Sequence, residues 1–112
     1  MNEDETIKYS YDDGLIISKD KTIKLSYREN EIMKILIHNR GEYTNRFELA
    51  KVLFGEDGAL YYEPTISVYV SRLRTKLKGV IQIHNRQGHG YKIKKTNNTE
   101  EYSLNENTLY KF

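Results

Sequence analysis

Ile66, Val70, Leu73 and Leu77 recur at i, i+4, i+7 and i+11 and then stop at Gly79. Such spacing commits the segment to a helix with a single buried stripe. Two strand-like runs follow, Val80-Ile81-Gln82-Ile83-His84 and Tyr91-Lys92-Ile93-Lys94-Lys95. The polar, glycine-bearing tip Asn85-Arg86-Gln87-Gly88-His89-Gly90 between them predicts a β-hairpin. Residues 65–95 also contain no acid, against eight bases: Arg72, Arg74, Lys76, Lys78, Arg86, Lys92, Lys94 and Lys95. Of 18 Lys and Arg in all, the other ten face all 16 Asp and Glu outside that segment, a balance of −6 there against +2 overall. A cationic helix and hairpin on an acidic scaffold attract polyanions, nucleic acid first among them.

The 112 residues have room for one domain and one modest core. With no cysteine, disulfides, thiol catalysis and cysteine-bound metals are excluded. No apolar run approaches a membrane span, and the acidic start Asn2-Glu3-Asp4-Glu5 is no signal peptide, so a cytoplasmic protein without membrane contact is expected. His84 and His89 lack a third ligand for a metal. Gly-rich phosphate loops and a supported Ser/His/Asp set are missing too. The sequence therefore predicts no enzyme, no cofactor, no metal and no small-molecule ligand.

Upstream, short strands are expected at 7–11, 15–17 and 22–25, separated by the turn signals Asp12-Asp13-Gly14 and Lys19-Asp20-Lys21. Ser26-Tyr27-Arg28-Glu29 has the spacing of a capping box, and Ile32, Ile35 and Leu36 continue a helix to Asn39-Arg40-Gly41. A second helix is expected from Thr44 or Asn45, burying Phe47, Leu49, Val52 and Leu53 and stopping at Gly55. Residues 55–63, with Tyr61 and Tyr62, then read as a loop, and Pro64 suits the first turn of the basic helix. Opposite the buried stripe of that helix lie Ser67, Val68, Ser71, Arg72, Thr75 and Lys78, with Arg74 at the margin. The organisation is thus a flexible N-terminus over 1–6, one domain over 7–95 and a polar tail over 96–112, expected to be disordered.

Sheet, helix, helix, basic helix and hairpin, in this order, resemble the winged-helix effector domain of OmpR/PhoB-type bacterial response regulators. The resemblance runs over residues 7 to 95. It is carried by Leu25-Ser26-Tyr27-Arg28-Glu29-Asn30-Glu31, by Asn39-Arg40-Gly41 through Phe47-Glu48-Leu49, by Ile66 through Leu77 with its Arg72-Leu73-Arg74-Thr75-Lys76-Leu77, and by Gly88-His89-Gly90-Tyr91. It implies an α+β winged helix-turn-helix fold with an N-terminal antiparallel sheet, three helices and a C-terminal β-hairpin wing. Its implied partner is double-stranded DNA, with recognition helix 64–78 in the major groove and wing 80–95 at the adjacent minor groove.

Within that frame Arg72 pairs with guanine and Val68 touches a thymine methyl, while Ser67, Ser71, Arg74, Thr75 and Lys78 contact phosphates. Asn85, Arg86, Gln87, Gly88 and His89 form the wing tip, and Tyr91 packs the wing on the body. The family also implies RNA polymerase contact through loop 55–63 and head-to-tail dimers on direct-repeat DNA. Two departures stand out. Gln87 holds the place of the family's wing arginine, with Arg86 one residue earlier, and Ser71 replaces a frequent base. They motivate a rival reading, a winged-helix protein-interaction module that has lost DNA reading. A phosphoacceptor domain is expected to be absent from this stretch, whether it is a stand-alone regulator or an excised effector domain.

Overall fold

A computed structural model describes residues 7–19, 21–95 and 109–111. The chain opens with three antiparallel strands, β1 (Lys8–Ser10), β2 (Leu15–Ile17) and β3 (Thr22–Lys24). Tyr9, Ile16 and Ile23 lie opposite one another across them and are all buried, so this row turns one face of the sheet to the core. Helix α1 (Tyr27–His38) follows, then α2 (Arg46–Tyr62), a 3-10 turn (Glu63–Thr65), α3 (Ile66–Leu77) and the hairpin β4 (Ile81–Arg86) with β5 (Gly90–Lys95). A last strand, β6 (Leu109–Lys111), pairs antiparallel with β1, giving the sheet order β3-β2-β1-β6.

Ser26 starts α1: its hydroxyl accepts from the Glu29 N–H, and the Glu29 carboxylate accepts from the Ser26 N–H at 2.8 Å. Both orphan donors of the first turn are thereby satisfied. The same Glu29 Oε1 accepts from Lys76 Nζ at 2.6 Å, and Lys76 also donates to the Lys24 carbonyl at 3.0 Å. One capping carboxylate thus ties α1 to α3 and, through Lys24, to β3. Lys76, which the helical spacing leaves off the outward face of α3, is thus engaged by the rest of the fold.

In α2, Asn45 caps the start by accepting from the Glu48 N–H at 2.8 Å. The expected stop at Gly55 is real, because its backbone there is left-handed (φ 82°, ψ 170°), a region glycine enters freely. The chain does not become a loop, however: residues 56–62 resume as helix, so the expected loop 55–63 is corrected. Glu56 and Asp57 favour a fresh helix start there, which the glycines on either side obscured in the sequence. At the break, Arg28 Nη1 donates to the Leu53 carbonyl at 2.7 Å and its guanidinium lies 4.5 Å from the Phe54 ring centroid. The burial pattern of α2 is also corrected. Leu49 and Ala50 are buried and Leu53 partly so, while Phe47 and Val52 face outward because small Ala50 carries the inner face.

Ile66, Val70, Leu73 and Leu77 are buried as their spacing predicts, each at 1% exposure or less. Burying side chains of this size stabilises by about 1.5–3 kcal/mol each, more than the weak helix propensity of a segment with Val68, Val70 and Thr75 can oppose. The hairpin is longer than expected: β4 reaches Arg86, so the tip is only Gln87–His89 and not 85–90. Asn85 pairs with Tyr91 and Arg86 with Gly90. As for the tail, Leu109–Lys111 form β6 where disorder was expected. The rest of that expectation, over 96–108 and 112, and the flexible N-terminus over 1–6 lie outside the described residues.

Candidate nucleic-acid interface

With one face of α3 sealed in the core, the other is free. Ser67, Val68, Ser71, Arg72, Arg74, Thr75 and Lys78 are all exposed, Val68 to 48%. Arg72 leans over the Tyr69 ring, 5.9 Å from its centroid. Arg74 is braced: its Nε donates to the Ile83 carbonyl at 3.1 Å. Lys78 is the C-cap residue of α3. The hydroxyls of Ser67 and Thr75 donate to the carbonyls of Pro64 and Ser71, at 3.1 and 3.3 Å, so a phosphate contact requires each to rotate.

The hairpin is fixed at its base. Thr44 and Tyr91 exchange backbone hydrogen bonds of 2.8 and 2.9 Å, and Tyr91 is buried, packing the hairpin on the body as expected. Gly90 makes this possible. A β-carbon there would sit 2.1 Å from the Thr44 carbonyl oxygen and 2.5 Å from Asn45 Cα, distances that no neighbouring backbone atom can concede. Beyond the anchor, Asn85, Arg86, Gln87, Gly88 and His89 are exposed. The alternation of β4 puts Arg86 on the outward side with Gln82 and His84, opposite Ile81 and Ile83. Tyr43 supports the far side: His89 meets its ring edge-on at 5.9 Å between centroids, and Lys92 Nζ lies 4.9 Å from its centroid.

A cleft of about 610 Å³ opens between the hairpin, the start of α2 and the 3-10 turn that precedes α3. Asn85, Arg86, Gln87 and Gly88 line it together with Asn45, Arg46 and Glu63. The predicted α3 residues stand outside this cleft, on the neighbouring surface. Arg46 and Glu63, which form an ion pair there, were not singled out from the sequence, because partners 17 residues apart leave no periodic trace. Among the described residues no helix is long and apolar enough to cross a membrane.

Fold and surface together define a winged-helix domain whose third helix and hairpin present a cationic face. The chain belongs to the family of C-terminal domains of transcriptional regulatory proteins, whose model matches residues 20–93. It is a DNA-binding domain of the OmpR/PhoB type and not an enzyme. The response regulator protein GraR from two strains of Staphylococcus epidermidis is 36% identical over 92 residues, 80% of this chain. The chain spans 40% of the length of those relatives. Among solved structures, the C-terminal domain of the nisin resistance regulator NsrR, a lantibiotic response regulator, is similar with a TM-score of 0.62 at 32% identity, covering 72% of this chain and 84% of that one. The DNA-binding domain of Escherichia coli CadC shares the fold, with a TM-score of 0.59 at 17% identity over 75% of this chain and 81% of that one.

Proposed function

We propose that this domain reads a specific sequence of double-stranded DNA as part of a bacterial transcription regulator acting in the cytoplasm. The observation that carries the reading is the exposed, acid-free face of α3, with Arg72 and Val68 one turn apart on it. An α-helix fits the major groove, where each base pair displays its own pattern of donors, acceptors and methyl groups. In this placement Arg72 addresses guanine O6 and N7, and Val68 a thymine methyl. Ser67, Ser71, Arg74, Thr75 and Lys78 hold the flanking phosphates, which fixes register without reading sequence. Arg86, Gln87 and His89, with Asn85 and Gly88 shaping the tip, enter the adjacent minor groove.

Selection from random duplex DNA, with winners and scrambled duplex compared at two salt concentrations, tests the reading. An enriched motif whose preference survives added salt is expected, and a repeated motif would show tandem binding by two copies. Binding that enriches nothing and collapses with salt would reflect counterion release alone and sink the proposal.

A second contact, with RNA polymerase through 55–63, is favoured by the exposure of Leu60 and Tyr61, at 77% and 83%. Large apolar groups so placed suit a protein partner. The rival in which the domain only binds proteins lacks such support on α3, where the exposed groups are mainly cations and hydroxyls.

A further inference from the structure

Glu63 is the acid nearest the start of the acid-free segment, and it sits in the cleft between the hairpin tip and α2. Two arginines line that cleft with it, Arg46 and Arg86, and an ion pair joins it to Arg46. Arg46 is the first residue of α2, and its side chain is 48% exposed against 27% for Glu63. If α3 occupies a major groove and the hairpin the next minor groove, one sugar-phosphate strand must pass between them. Asn85, Arg86, Gln87 and Gly88 of that hairpin line the cleft opposite Arg46 and Glu63, so its charges lie beside the part of the strand that flanks the hairpin.

We infer that Glu63 is a brake on sequence-independent affinity: its ion pair keeps Arg46 off the DNA backbone. The inference rests on the DNA reading above and deepens it. A neutral pair releases no counterion, so the cleft adds nothing to the sequence-independent part of binding. Affinity for specific and non-specific duplex is lowered by the same increment, so the protein is held less firmly on DNA while the base preference of α3 is unchanged. The pair itself is half in water and contributes little to stability, so its removal leaves the fold intact.

The experiment measures binding of the whole chain to its selected duplex and to scrambled duplex between 50 and 200 mM salt, for the parent, Glu63→Gln and the double variant Arg46→Ala/Glu63→Gln. Glu63→Gln is expected to bind both duplexes more tightly, with a salt slope steeper by about 0.9, so its advantage shrinks about threefold over that range. The double variant is expected to return to the parent's affinity and slope, because the gain runs through Arg46. Glu63→Gln behaving as the parent would overturn the brake. So would a double variant that keeps the full gain, since Glu63 would then act by direct repulsion of phosphate. A parent that selects a site while Glu63→Gln changes nothing sinks only this inference, whereas a parent that binds no duplex sinks the DNA reading and the brake with it.

Discussion

Arg72 and Lys78 are both exposed cations of one helix, yet their positions ask different things of them. Arg72 is in the middle of the outward face and Lys78 caps its end, so the proposed reading gives the first a base and the second a phosphate. Replacing Arg72 with Ala is expected to weaken the selected site by about 1–3 kcal/mol and relax preference at one base position. Lys78→Ala should weaken selected and scrambled duplex alike and flatten the salt slope by about one. Equilibrium titrations of both variants on both duplexes check the pair. An Arg72→Ala chain that binds the selected site as tightly as the parent would remove Arg72 from base reading.

Elements are joined here by a few side chains whose removal separates them. Burial opposes ionisation of Glu29, but the hydrogen bond from Lys76, the Ser26 backbone N–H and the Lys76 charge outweigh it and hold the carboxyl below its ordinary 4.5. Because the folded value is lowered, the stabilisation is complete above pH 4.5 and is lost as pH falls through the folded value. Lys76→Met is expected to cost about 1–3 kcal/mol near neutral pH, since a buried carboxylate loses its charged partner. The gap from the parent should narrow below pH 4.5, which thermal melts across pH 3 to 7 would reveal. At the hairpin base, Gly90→Ala should cost about 2–4 kcal/mol or displace the wing, the outcome of forcing an atom into packed backbone. Amide exchange at Thr44 and Tyr91 reports the displacement.

Over the whole molecule, charge and fold divide the chain along the same line. With Arg74 and Lys78 as the backbone cations, log K against log salt should slope at about −2. A slope near zero would leave the cationic face without phosphate partners. Local signals in the sequence carried much of this architecture: the capping box at Ser26 and Glu29, the stripe on α3 and the stop at Gly79 all depend on neighbours within a few residues. What escaped is set over longer distances or by small residues. Helix after Gly55, Ala50 taking the inner face of α2, the Lys76–Glu29 pair and the Arg46–Glu63 pair each depend on packing between elements. The exposed face of α3 was legible from its spacing, whereas the cleft beside the hairpin required the wing in place.

The wing hangs from Thr44, in the segment joining α1 to α2, with Gly90 pressed against that backbone. The hairpin is therefore mounted on different residues from those that face outward on α3, apart from the brace at Arg74. The two surfaces can in consequence be altered separately: the outward residues of α3 can be exchanged with Arg74 kept. A transplanted wing, by contrast, must travel with its Thr44 seat, so a chimaera cut between Gly79 and Lys95 alone would inherit a hairpin without its socket.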